Sequence, residues 1–341
     1  MTASLPPESG PESGPESGPE SGPESGPGCG PGPGPGRGPL LVPLHGLDST
    51  AQLMTRFTTQ LHSQLTAVRP PAAPVLVAVA HGSRDPGALR TVTALLASVR
   101  SARPGLRAVL GHIELDEPGL ADTLAGLPGG SEVVLVPLLF GRGHHVKHDI
   151  PRALAAAPHL RGTVAEPLGP HPLLAEALHT RLTEAVRARS AAARDAVAPD
   201  ALTRDAVAPD ALTRDAVAPD AVVLASAGSR DPESALGARR IAAGLRERLG
   251  GTPVLPAYAS AASPTVADTV RALREAGRRR IALASCFTAP GHFASRCAAE
   301  APWAASAPIG DHPALVRLVL HRFDEARAAL GAGRPPAPVH A

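Results

Sequence analysis

The stretch VAHGSRDPGAL, from Val79 to Leu89, returns as SAGSRDPESAL from Ser226 to Leu236. The agreement continues downstream. Pro118 in DEPGLADTL answers Pro264 in ASPTVADTV, and LLFGRGHHV answers SCFTAPGHF without a gap, which sets His145 opposite His292. A chain duplicated in this way folds as two copies of one architecture, and each copy is a control for the other. Residues shared by both are candidates for the fold; residues present in only one are candidates for chemistry.

Each copy alternates strand-like and helix-like stretches. In the first, PVLVAVA, LRAVLGHIEL, SEVVLVPLLF and RGTVAEPL are apolar, β-branched runs separated by helical patterns such as DPGALRTVTALLASVRSA and PLLAEALHTRLTEAVRA. In the second, AVVLASA, TPVLPAYAS, RRIALASCF and PWAASAPIG alternate with PESALGARRIAAGLRERL, SPTVADTVRALREAG, a short helix near residues 292–300 and HPALVRLVLHRFDEARAAL. Continuous apolar strands that alternate with helices predict an α/β fold: two tandem domains, each a four-stranded parallel sheet flanked by helices. The first domain is expected over 41–190, with its core from residue 74 and an amphipathic helix over 47–66 before the first strand. The second is expected over 221–330.

Three segments stand outside this pattern. Residues 1–40 repeat ESGP and then PG, with too little apolar surface to offset the entropy of ordering, and read as a disordered tail. Residues 191–220 carry RDAVAPDALT from Arg194 and again from Arg204, with a third copy begun at Arg214. A solenoid is the alternative for a repeat, but a unit this short, with a proline in each copy, buries little, so the segment reads as a linker. Residues 331–341 read as a flexible tail.

Composition narrows the function class. The net charge of +2 comes from nearly balanced acids and bases with no long basic run, which argues against nucleic acid or an anionic membrane as partner. The three cysteines, Cys29, Cys286 and Cys297, form no C-x-x-C and suggest neither a disulfide framework nor a thiolate zinc site. No leader and no apolar run near the roughly 20 residues of a membrane helix is visible. A cytoplasmic protein is expected.

Ser83-Arg84-Asp85-Pro86 and Ser229-Arg230-Asp231-Pro232 both read as a strand running into a helix, with Asp as N-cap and Pro in the first turn. His81 adds nothing to such a cap, and Ala227 in the second copy shows that the turn forms without it. His81 is therefore a functional candidate, a satisfied core histidine being the plainer reading. Glu114 ends the second strand where the other copy has Ser260, and His145 follows the third. In a parallel sheet all three emerge at the carboxyl edge, where ligands bind in open α/β folds. Two imidazoles and a carboxylate suit Co²⁺, Fe²⁺, Ni²⁺ or Zn²⁺. Taken singly, Glu114 also reads as a surface carboxylate and His145 as a loop histidine.

HGSRDP after a first strand, the Glu of IELDEP and VPLLFGRGHHVKHDIP together resemble the sirohydrochlorin chelatases, the class II chelatases of the CbiX and SirB type, in their long two-domain form. The resemblance spans about Pro74 to Leu330. It implies two chelatase-like domains with the active cleft between them, and insertion of Fe²⁺ or Co²⁺ into sirohydrochlorin without ATP, for sirohaem or cobalamin. The implied catalytic and metal-contacting residues are His81, Glu114 and His145. No cofactor beyond the substrate metal is implied, and the duplication makes the chain a pseudo-dimeric monomer. The family segment G-x-H-x-x-x-D-I selects His145, but this chain adds His144 and His148, whose spacing makes a rival pair if the segment is helical.

Arg142 and Lys147 are candidates to meet the carboxylates of the macrocycle, as are Arg84 and Arg152; solvated loop charge is the plainer reading, and it is favoured for Arg84, which recurs as Arg230. His292 and Phe293 of the second copy are candidates to face the substrate, and Phe140, Tyr258 and Phe287 also fall near strand ends. A non-catalytic metal- or tetrapyrrole-binding protein is the alternative. A two-lobed small-molecule binder would need an export signal, and a nucleotide enzyme would need a phosphate loop; neither is visible.

Overall fold

The computed structural model describes residues 54, 55, 57–60, 73–195 and 218–332. Within the unit Met1–Val68, residues 54, 55 and 57–60 are helical; the rest of the helix expected over 47–66 lies outside the described residues. So do the tail 1–40, most of the repeats and residues 333–341. Arg69–Ala341 forms the second unit and contains both copies of the duplication.

The first copy runs β1 (Val75–Ala80), α1 (Pro86–Ala102), β2 (Ala108–His112), α2 (Leu120–Ala125), β3 (Glu132–Pro137), a π-helical turn (His145–Asp149), α3 (Ile150–Ala155), β4 (Arg161–Val164) and α4 (Pro172–Asp195). The second runs β5 (Ala221–Ser226), α5 (Pro232–Arg248), β6 (Val254–Tyr258), α6 (Val266–Glu275), β7 (Ile281–Ser285), α7 (His292–Ala299), β8 (Ala304–Ala305) and α8 (Pro313–Ala332). The sheet orders are β2-β1-β3-β4 and β6-β5-β7-β8, every pair parallel. Two four-stranded parallel sheets flanked by helices are thus what the duplicated pattern builds.

The six residues of β1 are all buried because both faces of its sheet are covered. Leu76, Ala78 and Ala80 belong to a core shared by the two halves, whereas Val75, Val77 and Val79 face the separate outer layer formed with Leu124 and Ile150. The period of two along the strand thus assigns alternate side chains to different cores. Pro256 interrupts no ladder that matters, since β6 is an edge strand.

The halves are interlocked rather than self-contained. Helix α4, which closes the first copy, packs on β7, β8 and α5 of the second, while α8 closes the second copy and packs on β3, β4 and α1 of the first. Helix α4 also runs to Asp195, so residues 191–195, expected in the linker, are helical. The run Ala191-Ala192-Ala193 explains the extension, alanine being the strongest helix former. Conversely β8 keeps only two residues of the run PWAASAPIG, bracketed by Pro302 and Pro308. No helix among the described residues is long and apolar enough to cross a membrane.

Candidate functional site

The repeated turn is built as its sequence dictates. Asp85 accepts from the Gly87 amide at 2.7 Å and Asp231 from the Glu233 amide at 2.9 Å, each ahead of a proline in the first helical turn. Ser83 and Ser229 in turn accept from the amides of Asp85 and Asp231, both at 3.1 Å. This much is common to both halves and is architecture.

The strand ends of both halves open into one cavity of about 990 Å³. His81 follows the last residue of β1, beside Gly82 at φ 97°. A Cβ on Gly82 would stand 1.7 Å from the Glu114 carbonyl oxygen, so only glycine lets the turn close on the loop after β2. That loop is tied to it from both sides: the Glu114 amide donates to the His81 carbonyl at 3.0 Å, and the Ser83 amide to the Asp116 carboxylate at 2.8 Å. Between them Leu115 sits at φ 68°, with the Asp116 amide donating back to the Glu114 carbonyl at 2.8 Å, a tight three-residue turn.

His145 arrives from the loop after β3. The π-helical turn closes with the Ile150 amide donating to the His145 carbonyl, and it brings Asp149 under His145, where Nδ1 and Oδ2 are 2.8 Å apart. A carboxylate at Nδ1 holds the proton there and leaves the Nε2 lone pair for a metal ion. Burial works to raise the Asp149 carboxyl, but the hydrogen bond from His145 and the charges of His145, His144 and Arg152 prevail and hold it below the ordinary carboxylate range. The His145 ring meets that of His81 edge-on, centroids 4.8 Å apart.

Of the three residues expected to contact metal, two rings are therefore brought together at the cavity wall. Glu114 is joined to His81 through the main chain, but its side chain is exposed and is not part of the wall. Among the described residues, no three His, Cys, Asp or Glu side chains are grouped to hold a metal ion. The rival rings of His144 and His148 also approach, with centroids 4.7 Å apart, yet both are exposed and outside the wall.

Arg142 and Lys147, expected to meet the substrate, are paired with carboxylates of the protein. Arg142 pairs with Glu166. Lys147 reaches across to Asp231 at 2.6 Å and Glu233 at 3.3 Å, so its charge is engaged in holding the π turn to the second half. The hydrogen bond to Asp231 raises the Lys147 ammonium above its ordinary range, and neither residue lines the cavity. His292 and Phe293 do line it, with Arg84, Phe140, Tyr258 and Phe287. Cys286 is also in the wall, but burial pushes its thiol up to about 12, so it stays protonated near neutrality.

A family model described as CbiX matches residues 75–185 and 221–326, most of both halves and well over half of the chain. The chain belongs to the CbiX family. Among CbiX relatives, a protein named sirohydrochlorin cobaltochelatase from Sulfurisphaera tokodaii is 35% identical over 79 residues, covering 23% of this chain and 66% of that protein. Another of the same name from Methanococcoides burtonii is 28% identical over 123 residues, covering 32% of this chain and 94% of its own length. Among solved structures, SirB from Bacillus subtilis with Fe3+ superposes with a TM-score of 0.54 at 22% identity, over 76% of this chain and 98% of that one. At that identity the likeness speaks for the fold.

Two carboxylates beside these imidazoles, Asp149 and Asp116, are not among the residues singled out from the sequence. Asp149 is half-visible in the spacing G-x-H-x-x-x-D-I, four residues after His145, although the π turn that makes the contact is not. For Asp116 the missed signal is the comparison of the copies: the second has Ala262 at this point, so the carboxylate is present only in the half that carries His81.

Proposed function

We propose that the protein is a sirohydrochlorin chelatase that inserts a divalent metal ion, Fe²⁺ or Co²⁺, into the metal-free macrocycle without ATP, for sirohaem or cobalamin. The observation that carries this reading is the paired imidazoles of His81 and His145 at the wall of a cavity near 990 Å³ shared by both halves. That volume lies at the large end of ligand pockets, about 300–1,000 Å³, as a macrocycle requires.

In this reading the metal ion is a substrate, and the site must bind it weakly enough to surrender it. Neutral imidazoles do so. His145 offers Nε2 because Asp149 holds the proton on Nδ1, and His81 supplies the second ring. Glu114, on the loop hydrogen-bonded to the His81 carbonyl, acts as a third ligand or as a base when its exposed side chain turns inward. Insertion exchanges M²⁺ for two pyrrolic protons, which leave to Glu114, the imidazoles or water. The aromatic rings of Phe140, Tyr258, Phe287 and Phe293 cover the macrocycle, and Arg84 meets a peripheral carboxylate.

The test is to mix the full-length protein, sirohydrochlorin and either Fe²⁺ or Co²⁺ without nucleotide and to follow the change in absorption. An insertion rate above that of protein-free solution is expected, with His81→Ala and His145→Ala each losing most of it and His144→Ala little. Macrocycle binding with no acceleration would make the chain a binding protein instead. Wild-type rates in both His81→Ala and His145→Ala would refute the site.

A further inference from the structure

The cavity wall contains a buried imidazole that the reading above does not use. His112, the last residue of β2, is the register partner of Ala80 and shares the sheet face that Ala80 turns to the core between the halves. It is 1% exposed and lines the cavity. Its Nδ1 lies 3.2 Å from the Pro118 carbonyl oxygen, which can only accept. Nδ1 therefore carries the proton, and Nε2 of the neutral ring is an acceptor. Among the described residues, no donor reaches that Nε2.

Leaving a buried acceptor unpaired costs folding free energy, and the architecture does not demand it. The equivalent position in the second half pairs with Ser226 and makes the same bridge across the following loop, Tyr258 to Thr265 where the first half has His112 to Gly119, yet it carries a tyrosine. By the same comparison that selects His81 over Ala227, the imidazole at 112 is there for a ligand. Its chemistry says which part of the ligand. Peripheral carboxylates are acceptors and gain nothing from Nε2. The inner N–H groups of the metal-free macrocycle are donors, and they are the groups that vanish when metal enters.

We propose that His112 Nε2 accepts a hydrogen bond from an inner N–H of the metal-free macrocycle and thereby makes the site prefer substrate to metallated product. The inference rests on the chelatase reading. It gives product release a physical cause, since insertion removes the donor and leaves the buried acceptor unpaired again.

The full-length protein, without free metal, is titrated with sirohydrochlorin and separately with its zinc complex, and both dissociation constants are read from absorption or fluorescence. The wild type is expected to bind the metal-free form more tightly. His112→Phe should weaken that binding about tenfold, the loss of one hydrogen bond, and leave binding of the zinc complex unchanged. His112→Gln, whose amide oxygen can occupy the place of Nε2, should restore most of the preference. In the wild type, labelled with ¹⁵N at histidine, the His112 Nε2 resonance should move on adding the metal-free macrocycle and hold still on adding the zinc complex, a readout independent of how any variant folds. An unmoved resonance, or equal losses for both forms in His112→Phe, overturns the proposal. So does a shift produced by Zn²⁺ alone, which would make His112 a metal ligand. A wild type that binds neither form overturns the chelatase reading itself, and the proposal falls with it.

Discussion

The duplication supplies its own control for the loop that presents His81. Gly82→Ala places a Cβ at φ 97°, and the corresponding Gly228→Ala places one at φ 90°. A side chain in that left-handed region costs roughly 1–2 kcal/mol. In addition each new methyl group meets a carbonyl oxygen, Glu114 at 1.7 Å or Ser260 at 1.9 Å. The opposing loop must retreat by more than an ångström, which breaks the amide bond from Glu114 to the His81 carbonyl, 3.0 Å, or from Ser260 to the Ala227 carbonyl, 2.9 Å. With about 1 kcal/mol for that bond, each variant should lose about 3 kcal/mol and some 6–12 °C in Tm. The stability losses should match, but the activities should not. Moving His81 and Glu114 by an ångström is expected to slow insertion by about a hundredfold, whereas Gly228→Ala moves only Ala227 and Ser260 and should stay within severalfold of the wild type. Calorimetry and the absorption assay on the same preparations measure both quantities. Equal activity losses in the two variants, or a wild-type Tm for Gly82→Ala, would refute the reasoning.

Asp149→Asn should leave Tm nearly unchanged but weaken divalent metal binding by about 10–100-fold, since the amide orients His145 less firmly and adds no charge; a Zn²⁺ titration measures it. Acid unfolding offers a further check at Asp220, which accepts from the amides of Arg279 and Arg280 at 3.0–3.1 Å. Burial opposes ionisation there, but these bonds and the neighbouring arginine charges win and hold the carboxyl below its ordinary value of 3.8. A depressed folded value stabilises the protein above the unfolded one, and this contribution is lost as the pH falls through the folded value. Asp220→Asn should therefore flatten the stability curve below about pH 4 relative to the wild type, as read by denaturant melts across the acid range.

Much of the molecule is written locally. The parallel sheets follow from unbroken apolar runs such as Val75–Ala80, and the helix starts at Asp85-Pro86 and Asp231-Pro232 from their capping chemistry. Pairing the two copies was enough to select His81, and the loop after the third strand offered His145; their rings do meet. Asp116 and His112 were not singled out there, and their surroundings give them meaning: an amide from Ser83 for one, and for the other a carbonyl on one nitrogen and, among the described residues, no donor on the other.

Spacing and residue type alone determined that the chain is a duplicated α/β protein with its polar candidates at one sheet edge, because strand and helix periods act over two to four residues. Only the tertiary structure decided the exchange of α4 and α8 between halves, since an amphipathic helix presents the same stripe to either sheet. It likewise decided that Lys147 pairs with Asp231. A long charged side chain takes whichever opposite charge the packed chain brings within reach, and a partner more than eighty residues away leaves no trace in the local pattern.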